Sequence, residues 1–127
     1  IHFDGVTALE PAVDPTLDAE IEEQYHQSMQ DARAGRHLLV RLREAGARLL
    51  EVGASDWIVH GSDGEYPADE EYFLKCIVSF VTYEIESNGT MNEQKMTDWA
   101  RQRHAQIRRG TLIYLAHQLD VCARMKQ

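Results

Sequence analysis

Gly110-Thr-Leu-Ile-Tyr-Leu-Ala-His-Gln-Leu-Asp-Val-Cys122 is the stretch whose reading decides the fold. From Leu112 to Ala116 every side chain is apolar or aromatic, so an extended strand here has two faces to cover. That is the pattern of a strand inside a sheet with helices against it, not of a solvated edge. The strand is read as Thr111 to about Cys122. Gly110, preceded by Arg108 and Arg109, reads as the end of a helix whose negative terminus those two cations favour. An interior strand needs a neighbour on each side, and two other segments are suited to that place.

The first is Ile1 to Leu9, a β-favouring run ended by Pro11 and Pro15. It reads as a strand entered midway, with no start signal before it. The second is Arg48 to His60. Leu50, Val52 and Ala54 alternate there, then the parity slips to Trp57 and Val59, and Gly53-Ala54-Ser55 is the expected bulge. Helical periodicity fills the intervals. Asp14 caps a helix with Pro15 in its first turn, and Leu17, Ile21, Tyr25 and Met29 recur on one face. After a break at Gly35, Leu38, Leu39, Leu42 and Ala45 form a second amphipathic face that stops at Gly46. Asp69 is expected to cap a third helix, and Phe73, Leu74, Ile77, Val78, Phe80, Val81 and Ile85 cover more than one face of it. Asn92 caps a fourth, with Met91 and Met96 as a hydrophobic staple and with Met96, Trp99, Arg103 and Ile107 on a common face.

The order is strand, two helices, strand, two helices, strand. It predicts a three-layer α/β/α arrangement on a small mixed sheet of three strands, one domain or fragment over residues 1–127. Ile1–Val6 and Arg48–His60 are expected to run parallel, with Thr111–Cys122 antiparallel between them. A sheet this small leaves the Ile1–Val6 edge open, and such edges tend to pair. With the apolar surplus of the third helix, that predicts a homodimer or association with further chain.

Composition narrows the function classes. A net charge of −8 and the absence of any basic run argue against nucleic acid and anionic lipid as partners. No apolar stretch approaches a membrane span, and the first residues do not read as a signal peptide. Cys76 and Cys122 have no paired spacing, which suits a reduced cytoplasmic protein. The six His show no His-x-x-x-His and there is no Cys-x-x-Cys, so no metal site is expected.

Five passages then resemble the C-terminal part of a class I, Rossmann-like S-adenosylmethionine-dependent methyltransferase. They are Phe3-Asp-Gly-Val-Thr-Ala-Leu-Glu-Pro11, Leu38-Leu-Val-Arg-Leu-Arg-Glu-Ala-Gly46, Gly53-Ala-Ser-Asp-Trp-Ile-Val-His60, Tyr66-Pro-Ala-Asp-Glu-Glu-Tyr-Phe73 and Gly110-Thr-Leu-Ile-Tyr-Leu-Ala-His-Gln-Leu-Asp120. The resemblance implies the back half of that fold, whose last strand inserts antiparallel between the two before it. It implies methyl transfer to a small molecule, with S-adenosylmethionine as the cofactor of the complete enzyme. The family's Gly-rich cofactor loop has no counterpart, because no Gly-x-Gly occurs. This chain alone is therefore expected to bind no cofactor and to be inactive.

Ligands of open α/β sheets bind beyond the carboxyl ends of the parallel strands. That rule gathers Asp4, Trp57, His60, Tyr66 and Tyr114 as a substrate-binding rim, with His117 as the group that could orient or deprotonate an acceptor. Each has a structural alternative: Trp57 as core or rim packing, Asp4 as the cap of a turn before Pro11, His117 as a hydrogen-bonded core residue, and Asp120 nearby as a partner for a buried His or Arg. The alternative function is a stand-alone, non-catalytic α/β module that binds a partner or a small ligand.

Overall fold

The computed structural model describes residues 2–89 and 91–126. Strand β1 (His2–Glu10) is followed by α1 (Pro15–Ser28), α2 (Ala34–Glu44), β2 (Ala47–Ala54), β3 (Trp57–Val59), α3 (Glu70–Asn88), α4 (Glu93–Arg108) and β4 (Ile113–Met125). The long last strand is the centre of the sheet. β1 lies on one side of β4, and β2 and β3 lie on the other. The strands flanking β4 therefore run in the same direction with β4 reversed between them, as expected. Ile1, expected on the open edge, lies outside the described residues.

Two features of the sheet differ from expectation. Arg48–His60 is not one strand: it breaks at Ser55 and Asp56 into β2 and β3, which makes four strands among the described residues. The break falls beside the Gly53-Ala54-Ser55 stretch read as a bulge, while the register shift inside β2 comes earlier, between Leu49 and Glu51. The sheet is also not mixed, because every pairing is antiparallel. The same-direction strands never touch each other; β4 separates them.

Register sorts the side chains onto two faces, since directly paired residues point the same way. Phe3, Thr7, Leu9, Trp57, Val59, Tyr114 and Ala116 share one face. Against it lies a core in which Ile21 of α1, Leu74, Val78, Val81 and Ile85 of α3, and Met96, Trp99 and Ile107 of α4 are buried together. Asp4, next to Phe3, turns to the other face and meets α2. The link between α1 and α2 thus carries the chain around the β1 edge.

Most helix ends obey their local signals, but the break expected at Gly35 and Arg36 comes earlier, and both residues lie within the first turn of α2. The Asp14 carboxylate accepts from the backbone N–H groups of Thr16 and Leu17, and Asn92 accepts from Lys95. Gly89 closes α3 in the left-handed conformation. Asp69 precedes α3 but makes no side-chain cap bond. Met91 is half-buried against the core that holds Met96. No helix among the described residues is long and apolar enough to cross a membrane.

Candidate ligand site

The structure distributes the expected site residues over three places. Asp4 is one of the few buried charged residues. Its Oδ1 accepts from the backbone N–H of Arg36 (3.0 Å) and from Arg36 Nε (2.8 Å), and its Oδ2 from Arg36 Nη2 (3.0 Å). Helix α2 has no side-chain cap of its own. A carboxylate from β1 therefore supplies the acceptor that the first-turn N–H groups lack, at the helix end where negative charge is favoured. The hydrogen bonds from Arg36 hold the Asp4 carboxyl below its ordinary value, against the opposing effect of burial.

His117 lies on the same face. Its Nδ1 is 2.6 Å from Asp56 Oδ1 and its Nε2 is 3.8 Å from Asp4 Oδ2, so two carboxylates bracket the ring. Nearby, Ser55 donates to Asp120. Asp120 is thus a partner for Ser55 rather than for His117.

Trp57 and Tyr114 sit on the opposite face. Trp57 stacks on Phe73 with centroids 4.3 Å apart, and both rings meet Tyr114 edge-on. Tyr114 is buried, and its phenol is pushed up to about 12 by that burial and by the neighbouring Tyr25. Tyr66 donates to the Leu112 carbonyl at 2.8 Å, which ties the loop after β3 to the start of β4. His60 is exposed at the base of that loop. The six residues are not brought to a single rim.

A partly open cavity of about 250 Å³ lies elsewhere, between the end of β1 and helices α1, α3 and α4. Arg103 is its anchor. Only 1% of this side chain is exposed, yet it carries a charge. Its guanidinium donates to the carbonyls of Leu9 and Pro11 and to Gln106 Oε1, and its Nη2 is 3.1 Å from Asp18 Oδ1. Asp18 also accepts from Trp99 Nε1 (2.8 Å) and from the Val13 N–H (2.9 Å). Burial pulls the Arg103 pKa down, and Asp18 opposes this. Its Nε is sealed off and has no hydrogen-bond partner among the described residues. The guanidinium lies 5.4 Å over the Trp99 ring, whose π face offsets part of the charge. Tyr25, Glu10 and Glu22 also line the cavity.

None of these cavity residues stood out as a site in the sequence. Arg103 did carry a signal, since a cation on the apolar face of Met96, Trp99 and Ile107 has to be buried with a partner. Asp18 is 85 residues away and gave none. The two cysteines, placed in apolar segments, are free and exposed. No group of three or more His, Cys, Asp or Glu among the described residues is placed to hold a metal ion.

Asp4 gives a pH-dependent test. A carboxyl held below its unfolded value of about 3.9 stabilises the fold above that pH, and the contribution is lost as pH falls through the depressed value. Asp4→Asn is expected to lower the urea midpoint near neutral pH, and the gap to the parent should narrow from about pH 5 downward. A gap that stays constant down to the acid transition would remove Asp4 from that role.

No family model, curated protein or solved structure matches this chain.

Proposed function

We propose that residues 1–127 are the C-terminal, acceptor-side portion of a soluble, cytoplasmic S-adenosylmethionine-dependent methyltransferase acting on a small molecule. The observation that supports this reading best is the strand order. The last strand lies antiparallel between two strands of common direction, which is the order the resemblance implies for the back half of a Rossmann-like fold. The three-layer description belongs to the same proposal, with α2 against the Asp4 face and the other helices against the Tyr114 face.

The residues present do not fit the cofactor. Close backbone approach needs open glycines clustered in one loop; Gly61 and Gly110 are packed against backbone, and the open Gly46, Gly53 and Gly89 stand singly after α2, within β2 and after α3. No step is therefore assigned to S-adenosylmethionine here. What this chain contributes is acceptor binding, orientation and exclusion of water, the terms on which a displacement at a methyl carbon depends. Trp57, Tyr66, Tyr114 and His60 are the proposed walls. Asp4 and His117 lie on the other face of the sheet, where they hold α2 and the break between β2 and β3 rather than the acceptor. The outward face of α3, with exposed Tyr72, Phe80 and Tyr83, is the proposed contact of a homodimer or of the cofactor-binding half.

The expected result on the isolated 127 residues is no S-adenosylmethionine binding by calorimetry, with light scattering above 14.5 kDa. The polypeptide as expressed in its source is expected to transfer a labelled methyl group to a small molecule. Low-micromolar cofactor binding by the 127 residues would overturn the placement, and absence of transfer by the source polypeptide would overturn the enzyme.

One observation favours the second reading, a non-catalytic small-ligand module. The cavity is walled by β1, α1, α3 and α4 of this chain and needs no other to form.

A further inference from the structure

We infer that the cavity beside the outer edge of β1 takes an extended peptide segment, held by the backbone of Thr7 and Leu9. This rests on the second reading above, the cavity as a ligand site, and names what fills it; it does not depend on methyl transfer.

Register shows which way the peptide groups of β1 point. The Ser55 N–H donates to the Gln118 carbonyl directly opposite it. That pair continues the register of β3 on β4, so Trp57 with Ala116 and Val59 with Tyr114, two and four residues on, are hydrogen-bonded pairs as well. Ala116 and Tyr114 therefore turn both their N–H and C=O groups to β3. None is left for Thr7 and Leu9, the residues that face them from β1. Thr7 and Leu9 turn their own groups to the outer edge, away from β4. The Leu9 carbonyl is accordingly taken from outside the sheet, by Arg103 Nη2. The N–H and C=O of Thr7 and the N–H of Leu9 have no hydrogen-bond partner among the described residues.

The cavity lies along that edge. Thr7, Ala8, Leu9 and Glu10 all line it, with Ala19 and Glu22 of α1 among the residues opposite. Consecutive strand side chains point to opposite faces, so a run of neighbours borders one space only along the strand's edge. The unpaired groups match one residue of extended peptide. Its N–H meets the Thr7 carbonyl, and its carbonyl meets the N–H of Thr7 or Leu9. An edge left open in this way pairs with another backbone. Ile21, Tyr25 and Val81 give the cavity an apolar wall, which favours an apolar side chain on that residue. At about 250 Å³ the space falls just below the range of about 300–1,000 Å³ for pockets that hold drug-sized ligands, so one residue with its flanking peptide groups is the unit it takes.

The probe is N-acetyl-leucine methylamide, one residue between two peptide groups, read by two-dimensional NMR on the 127-residue protein. An affinity of about 1 mM is expected, the scale for a ligand of this size. Binding should shift the Thr7 and Leu9 amide protons and slow their exchange with solvent. Moving one methyl group tests the pairing. N-acetyl-N-methyl-leucine methylamide lacks the N–H that the Thr7 carbonyl accepts and should bind about fivefold more weakly, the scale of one hydrogen bond. Its isomer, N-acetyl-leucine dimethylamide, keeps that N–H and should bind as the parent does. Ala19 is exposed on α1, so Ala19→Phe should crowd the cavity and weaken binding while leaving the melting curve in place. Equal binding of the two isomers, or shifts that miss Thr7 and Leu9, would overturn the inference. Isoamyl alcohol, the side chain without the peptide groups, separates the inference from the reading beneath it. If it binds in the cavity and the isomers do not differ, the cavity is a ligand site and the peptide inference is wrong; if no probe binds, both fall.

Discussion

Asp18→Ala is expected to destabilise the protein by about 3–5 kcal/mol, because it strands a buried cation. Arg103 is 1% exposed, and its one acidic ion-pair partner among the described residues is Asp18. Trp99 Nε1, also buried, loses its acceptor in the same step. Taking one member from such a pair costs far more than the pair itself contributes, since the remaining charge keeps its full desolvation penalty. Native domains are stable by only about 5–15 kcal/mol. The expected drop therefore takes a large share of the total and lowers the melting temperature by about 10–20 °C.

The matching substitution separates this account from simple loss of contacts. Arg103→Met removes the charge and keeps much of the volume. Asp18, 19% exposed, keeps water and the Trp99 and Val13 donors, while the Leu9 carbonyl and Gln106 Oε1 lose theirs, so the expected cost falls only to about 2–3 kcal/mol. Urea denaturation of both variants reads the asymmetry. If the two cost the same, or Asp18→Ala costs less than about 1 kcal/mol, Arg103 is not held in the way described.

The parts of the fold legible in the sequence are those whose signal is local. The caps at Asp14 and Asn92, the glycine after α3 and the apolar start of β4 each declare themselves within a few residues. So does the shared face of Met96, Trp99, Arg103 and Ile107. The break of Arg48–His60 into two strands was half legible: the change of parity before Trp57 marked it, but a bulge and a break leave the same mark. What stayed hidden depends on distant chain. Asp4 caps a helix that begins 30 residues later, and Asp18 meets a guanidinium 85 residues on. A carboxylate chosen as a ligand from its place at a strand end is identical, in sequence, to one that fastens a helix to the sheet.

The crossing of Gly61 and Gly64 with Gly110 was hidden in the same way, although Gly110 itself read as a helix end, and Gly110 carries the second large expected effect. It has φ near +71°, and a Cβ built on it would overlap the Gly64 backbone; one built on Gly61 would overlap the Gly110 carbonyl. The Gly61–Gly64 turn therefore crosses the end of α4 backbone to backbone, with no side chain between. Gly110→Ala adds the cost of left-handed backbone, about 1 kcal/mol, to the cost of forcing two main chains apart, about 1–3 kcal/mol. The expected loss is about 2–4 kcal/mol. Gly46→Ala is the control, since Gly46 has φ near +85° but nothing within 4 Å of a built Cβ; it should cost only about 1 kcal/mol. The same crossing seats the loop whose Tyr66 hydroxyl reaches Leu112 and which leads into α3 and Phe73, the ring on which Trp57 stacks. Gly110→Ala should therefore also shift the Trp57 emission toward that of a solvated indole before global unfolding, which Gly46→Ala should not. Denaturation midpoints that match for the two variants would mean that the turn and the helix end are not in contact, and the aromatic wall would lose its support with them.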